Sequence, residues 1–398
     1  MLVAALDVAL TLAALPVTLA SGYLLVLTLL SFGQRPKRGR APHLRFDIVV
    51  PAHDEEEGIA ATVGSLKEVH YPASLRRILV VADNCSDATA ARARDAGATV
   101  LVRTDPDRRG KGYALAFAFE RVLAEDPPDA VVVVDADCLV TPNVLAAFAA
   151  RLDEGALAVQ CAYVIGNPRA SWRTSLMAIG FALVNVARPR GRERLGLSAG
   201  LHGTGMCFAA SVLREVPHDA FSIVEDLEYG LRLGLAGHRV HFAPEASVQA
   251  DALATVRGSG PQRLRWEDGR RAVARAYVRT LLRRAMAARD PVLFDLGLDL
   301  LVPPLAKLGQ VAVAGAAATA IGSVLAEHSL WATWPWGFSL AALCLHVAAG
   351  WWLSGTGVRG LASLLHAPAY LAWKAVISSA PREHPSGSWV RTRRGRPL

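Results

Sequence analysis

The chain has 398 residues, room for two or three domains at about 150 residues each. Hydrophobic residues make up 52%, charged residues 20%, and the mean hydropathy is +0.28; soluble domains run at roughly 45–50% and 25%, so this composition tilts toward lipid and excludes intrinsic disorder. Five cysteines without a C-x-x-C pair or a His/Cys cluster exclude a zinc ribbon and a disulfide scaffold.

Residues 8–31 carry no charge and are long enough to cross a hydrocarbon core of about 30 Å, with a kink expected at Pro16. A cleaved signal peptide fits poorly, since no basic residue precedes the apolar run. Arg35, Lys37, Arg38 and Arg40 come directly after it. By the positive-inside rule the N-terminus lies outside, residues 1–32 are an anchor, and the chain beyond that anchor starts in the cytoplasm.

Between residues 43 and 257 the pattern changes. FDIVV (46–50), ILVVA (78–82), TVLV (99–102) and VVVV (131–134) are β-branched runs of strand length, with helix-like stretches at 55–69, 87–96 and 112–125 between them. Strand alternating with helix predicts a doubly wound α/β sheet of parallel strands, and such sheets bind ligands at the carboxyl ends of their strands. Three of those ends lead into acid: PAHDEEE after the first, Asp83-Asn84-Cys85-Ser86-Asp87 after the second, Asp135-Ala136-Asp137 after VVVV. No G-x-G-x-x-G comes after the first strand and no G-x-x-x-x-G-K-[ST] occurs, which excludes dinucleotide and P-loop sites. A carboxylate-rimmed site that holds a phosphate needs a cation, which points to a divalent metal.

Asp135-x-Asp137 is the sharpest local signal, because two carboxylates flanking one residue at a strand end cannot both face a core. The loop lets one reach a metal and the other a ribose or water, and it reads alternatively as a solvated turn. Asp83 stands at its strand tip as a ligand acceptor, while Ser86 or Asp87 is expected to cap the next helix. Asp54 to Glu57 would stabilise a helix N-terminus. Arg109-Gly110-Lys111-Gly112 offers cations and flexible backbone to a phosphate, and reads equally as a surface turn. Glu225-Asp226, ahead of a helix from about Leu227, is a cap or a catalytic base whose burial would raise its pKa.

From 258 to 290 the chain is strongly basic, with nine arginines between 263 and 289 and apolar Trp266, Val273, Tyr277, Val278, Leu281 and Leu282 near helical spacing. This pattern predicts an amphipathic helix on an anionic membrane surface. The net charge of +8 resides mostly here and in the juxtamembrane tails, so it argues for lipid and against nucleic acid. Two further spans are expected within 299–354, at 308–326 and 334–353, the second with tryptophans near both ends. Residues 359–380 read as an interfacial or membrane helix, and 381–398 as a basic cytoplasmic tail. The cysteines (85, 138, 161, 207, 344) are expected to be free thiols.

Four elements thus stand in one order: Asp83, Asp135-x-Asp137, Glu225-Asp226, and Gln262-x-x-Arg265-Trp266. Set between an N-terminal anchor and C-terminal spans, and joined by VVPAHDEE, VVADNCSDAT and RRGKGYAL, they resemble the membrane-bound family-2 glycosyltransferases, a group that includes cellulose-, hyaluronan- and poly-N-acetylglucosamine-synthase-like enzymes. The resemblance covers roughly residues 20–380. It implies a GT-A fold, a Rossmann-like mixed sheet, over 43–257, and transfer of a sugar, with inversion, from a nucleotide-sugar (a UDP-sugar expected) to a polysaccharide or lipid acceptor. It implies that Pro51, Ala52, Asp54 and Asp83 contact the nucleotide, with Lys111 nearby; that Asp135 and Asp137 hold the sugar-nucleotide and its Mg²⁺ or Mn²⁺; and that Asp226, beside Glu225, is the general base. Gln262, Arg265 and Trp266 would close over diphosphate and acceptor, and His202-Gly203-Thr204 would line the acceptor site. Asp54 stands where many relatives carry Asn, and Val224 where Thr or Ser often precedes the acid pair. Three spans give little wall for a polymer channel, so a lipid acceptor, an oligomer or a partner subunit stays open beside the polysaccharide reading. The rival outside enzymology is a membrane scaffold with a degenerate domain; the presence of Asp137, Asp226 and Arg265 argues against it.

Overall fold

The computed structural model describes residues 2–33, 37, 41–252, 256–326 and 331–368. The four β-branched runs form strands β1 (Phe46–Ala52), β2 (Arg76–Asp83), β3 (Thr99–Arg103) and β4 (Ala130–Val133), all parallel and ordered β3-β2-β1-β4. Their connections are helices α2 (Ile59–Lys67), α3 (Thr89–Asp95) and α4 (Lys111–Glu125). Alternation along the strands divides the core into two layers. Ile48, Val50, Val80 and Val132 pack with Ile59, Val63 and Leu66 of α2, while Val49, Leu79, Val81, Val131 and Val133 pack with Ala114, Leu115 and Ala118 of α4. Burial on both faces is why these strands read as unbroken apolar runs.

The remaining elements are β5 (Leu139–Val140), α5 (Val144–Leu152), β6 (Ala158–Ile165), α6 (Trp172–Ala182), α7 (Arg188–Arg194), β7 (Met206–Ala209), α8 (Ala210–Glu215), α9 (Glu225–Leu235) and β8 (Val240–Ala250). They extend the sheet to eight strands in the order β3-β2-β1-β4-β7-β6-β8-β5. The sheet is therefore mixed, as the GT-A resemblance implies, and the parallel arrangement read from the strand pattern holds for β1–β4. β7 lies antiparallel between β4 and β6, and β5 antiparallel on β8, whereas β6 and β8 are parallel. The physical reason is the excursion from 166 to 205. It leaves and returns at one end of the sheet, so no crossover reverses the chain and β7 comes back antiparallel to β6. That end is also the carboxyl end of β1, β2 and β4.

The excursion is itself a docking element. Ser171 opens α6 with a capping box, its hydroxyl accepting from Thr174 N–H at 3.1 Å and Thr174 Oγ1 accepting from Ser171 N–H at 2.8 Å. A π-helical turn over residues 183–187 joins α6 to α7. α7 packs against α1 (Leu2–Leu30), where Gly191 lies on the backbone of Leu27, and Leu183 packs on Gly350 of α13 (Thr333–Leu353).

After β8 come α10 (Val256–Ala288), α11 (Pro291–Leu301), α12 (Leu305–Leu325), α13 and α14 (Gly357–Ser363). Among the described residues three helices are long and apolar enough to cross a membrane: Val3–Leu30, Leu305–Leu325 and Thr333–Leu353. Their outward faces carry Leu12, Leu19, Ile321, Val324, Trp334 and Trp352 exposed. α1 and α13 run in the same direction. Asp7 accepts from the backbone N–H groups of Trp331 and Ala332 at the start of α13, and Thr28 Oγ1 meets His346 Nδ1 at 2.6 Å toward the other end. α1 passes through Pro16 as one helix.

α10 is amphipathic as expected, with its apolar face turned into the protein. Val273, Leu281 and Ala285 are covered by Leu293, Leu296 and Leu300 of α11, by Leu231 of α9 and by Val224 just ahead of α9, so much of its apolar face is occupied within the protein. What α10 shows outward is Arg271, Arg275, Arg279 and Arg283, four residues apart on one stripe. Residues 369–380 of the expected last helix, the tail, Arg35, Arg38, Arg40, Glu327 and His328 lie outside the described residues; α14 occupies part of the span from 359.

Candidate active site

The topology brings the acidic strand tips to one edge. Asp83 ends β2 fully buried, with Oδ1 paired to Arg103 at 2.5 Å and Oδ2 without a hydrogen-bond partner. A buried carboxylate oxygen left open is expensive, which makes it the natural acceptor for a ligand hydroxyl or imide. Pro51 and Ala52 close β1 beside it, both buried in the sheet. Asp54, in a left-handed conformation (φ 55°), accepts from Ser86 N–H at 2.7 Å and from the Ser86 hydroxyl. It thereby fixes the 84–87 loop. Asp87, not Ser86, receives the N–H of Thr89 at the start of α3, at 2.9 Å.

Asp135 and Asp137 come after β4. Asp135 N–H donates to Thr204 Oγ1 at 3.1 Å, and Cys138 Sγ donates to Asp137 Oδ1 at 3.3 Å. Carboxylate oxygens of both aspartates and Cys138 Sγ lie within 4.8 Å of one another. Burial and the two aspartates push the Cys138 thiol well up, and its soft sulfur matches a hard divalent ion less well than the two carboxylates do. Two hard oxygen donors fit Mg²⁺ or Mn²⁺, which take one or two carboxylates and complete their shell with phosphate and water.

Glu225 and Asp226 form the first turn of α9, where the helix dipole favours negative charge. Glu225 is buried and Asp226 half-buried. Burial raises the pKa of both, and the charge of Lys111 works against that rise. Lys111 opens α4 and joins the two acid pairs. Its ammonium is 2.6 Å from Asp135 Oδ1 and 3.4 Å from Glu225 Oε1, and donates to Gly203 O at 2.6 Å. Burial works to lower the Lys111 pKa, and the carboxylates of Asp135, Glu225 and Asp226 more than offset it. Burial likewise takes Asp135 up to about 6 despite Lys111. Gly112 is what permits this approach, because a Cβ there would sit 2.2 Å from Ala220 O. Stacking of Tyr113 on Phe221, with ring centroids 4.3 Å apart, fixes the same contact.

The 202–205 loop closes over the acids: a Cβ on Gly203 would lie 3.5 Å from Asp226 Oδ2. Gln160, which sequence reading missed, holds this loop. Its amide donates to Thr204 O at 2.8 Å and its Oε1 accepts from His202 N–H at 3.0 Å. Arg103, which holds Asp83, was missed too. Burial and the charges of Arg192, Arg188 and Arg270 lower the His202 pKa to about 3, so the ring is neutral, and its Nε2 has no hydrogen-bond partner. Of the Gln262-x-x-Arg265-Trp266 element, Arg265 is half-buried and Trp266 is exposed; the Gln262 side chain lies outside the described residues. Gly269, one turn further along α10, packs directly on Ile223 and Val224, next to the acid pair.

With this geometry in hand, the sequence profile of the group described as glycosyltransferase-like family 2 matches residues 42–269, more than half of the chain. The chain belongs to glycosyltransferase family 2. This glycosyltransferase is 26% identical over 261 residues to the protein of Bacillus subtilis (strain 168) called probable glycosyltransferase YdaM, a match that covers 63% of this chain and 60% of that one. A shorter match, 37% over 91 residues, covers 23% of this chain and 20% of the low-salt glycan biosynthesis hexosyltransferase Agl6 of Haloferax volcanii. Among solved structures, the mannosyltransferase PcManGT of Pyrobaculum calidifontis, in complex with GDP-Man and Mn²⁺, aligns with a TM-score of 0.53 at 22% identity. The alignment covers 88% of this glycosyltransferase and 99% of that chain. At that identity the likeness speaks to the fold, here the GT-A arrangement extended by apolar helices.

Proposed function

We propose that this glycosyltransferase moves a hexosyl group from a nucleoside-diphosphate sugar, with inversion, to a hydroxyl of an acceptor held at the cytoplasmic face of a membrane. The observation that carries the proposal is the convergence of Asp135-x-Asp137 and Glu225-Asp226, about ninety residues apart in sequence, around one ammonium at the carboxyl edge of the sheet. Asp83, with its open oxygen, and the loop fixed by Asp54 would receive the nucleoside. Asp135 and Asp137 would hold Mg²⁺ or Mn²⁺, which when bound draws charge from the departing diphosphate. The Mn²⁺ in the mannosyltransferase complex supports that choice.

Asp226 would take the proton of the acceptor hydroxyl. Its raised pKa makes it a stronger base than an ordinary aspartate, and such a base contributes roughly 10²–10⁴-fold. Gln262, Arg265 and Trp266 would close on the donor from α10. The acceptor would lie along His202, Gly203 and Thr204, on the side where α6 and α7 meet α1 and α13. This placement supports a lipid acceptor, or a glycan emerging at the bilayer. The Arg271–Arg283 stripe adds charge complementary to anionic headgroups.

The test is release of UDP or GDP by the detergent-purified protein across a panel of UDP- and GDP-sugars, with Mn²⁺, Mg²⁺ or EDTA. Metal-dependent release from one donor supports the reading. No release and no nucleotide binding by calorimetry would overturn it.

A further inference from the structure

Lys111 is half-buried among partners drawn from three separate elements: Asp135 after β4, Glu225 at the start of α9, and the Gly203 carbonyl ahead of β7. An ammonium has three donor hydrogens, and these three oxygens match them in number. The lysine is also fixed from behind, by Gly112 against Ala220 and by Tyr113 against Phe221. It occupies the position from which a positive charge offsets the donor-side and acceptor-side acids at once.

We propose that Lys111 is a resident counter-cation that makes metal loading depend on nucleotide. With the site free of substrate, its ammonium claims Asp135 Oδ1 and so competes with a divalent ion for the same oxygen. Arrival of a diphosphate offers the ammonium anionic oxygens of its own, releases Asp135 to the metal, and supplies further ligands to that metal. Nucleotide and metal then bind with positive coupling, which by linkage is mutual. The 203–205 loop and Glu225 share the same lysine, so its movement also changes the acceptor side. This inference rests on the reading of Asp135 and Asp137 as metal ligands.

The test is Mn²⁺ binding to the full-length protein in detergent, read as loss of the free-ion electron paramagnetic resonance signal, alone and with saturating UDP or GDP. For the unaltered protein the expected result is Mn²⁺ affinity at least tenfold higher with one of the nucleotides than without. K111M should bind Mn²⁺ alone at least tenfold more tightly than the unaltered protein, with most of the nucleotide dependence gone, whereas K111R should keep it. D137N should abolish the site. Nucleotide-independent Mn²⁺ binding by the unaltered protein would overturn the proposal without any variant, and so would K111M binding Mn²⁺ alone no better than the unaltered protein. Absence of Mn²⁺ binding with either nucleotide would instead sink the metal-site reading itself, a distinguishable failure.

Discussion

The protein buries two clusters of charge, and they are built on opposite balances. Around Lys111 one ammonium faces Asp135, Glu225 and Asp226, with Asp137 beside Asp135. At the junction of α1, α7, α10 and α11, Arg188, Arg192 and Arg270 converge on Asp299, and Arg192 also pairs with Asp295 at 3.0 Å. Tyr23 of α1 donates to Asp295 at 2.8 Å and accepts from Arg192, which ties the first apolar helix into the second cluster. The second cluster is closed by mutual contacts between helices that must stay together. The first is under-compensated, with carboxylates raised and a neutralising charge still to come. Buried ion clusters of the closed kind are weak evidence for net stability but fail badly when one partner is removed. Those of the open kind are where chemistry is done.

Substitutions separate the two. D226N should lower transfer by about 10²–10⁴-fold while the fold persists, because it removes the proton acceptor and keeps the shape; steady-state release of the nucleoside diphosphate measures this. D299A should strip three arginines of their common partner and cost roughly 3–5 kcal/mol of stability, seen as a large fall in Tm. The two clusters give opposite signs when an acid is neutralised. E225Q should raise Tm by about 1–3 °C at neutral pH, since the fold disfavours that carboxylate's charge, and lower activity at the same time. A fall in Tm equal to that of D299A would erase the distinction.

The pH dependence arises from the same imbalance. Asp135 is raised to about 6, so its stabilising contribution is complete below the unfolded value near 4 and disappears as pH rises through about 6. The metal-free protein should therefore melt progressively lower across that window, and D135N should flatten the slope. Activity should move the other way. The base works deprotonated, so the acid limb of kcat/KM should lie above the ordinary aspartate range. The smallest effect belongs to Trp266→Ala: this ring is 41% exposed, so stability should change by no more than about 0.5 kcal/mol while turnover falls.

How far the sequence carried the reading also differs between the clusters. The strand runs, Asp135-x-Asp137, Glu225-Asp226 and three long apolar helices are local patterns, each set by residues within one segment, and the structure has them where the spacing predicts. The family profile and the fold likeness then bear out the resemblance to family-2 glycosyltransferases. The second cluster was invisible because Tyr23, Arg188, Arg270 and Asp299 come from four helices and share no motif. The same holds for Gln160, whose neighbours in sequence mark only a strand. The antiparallel entry of β7 results from a connection of forty residues (166–205), too long for its Asn-Pro and glycine turn signals to fix the direction of return. α10 misled for a different reason. An amphipathic helix shows that an apolar face will be covered, not by what, and α11 rather than lipid covers much of it.

The most direct measurement of the central claim compares nucleoside-diphosphate release by the unaltered protein and by D226N, at equal Tm, with the donor and metal the panel identifies. The account predicts a loss of at least about 10²-fold with donor binding retained. Turnover by D226N within a few fold of the unaltered protein would contradict it.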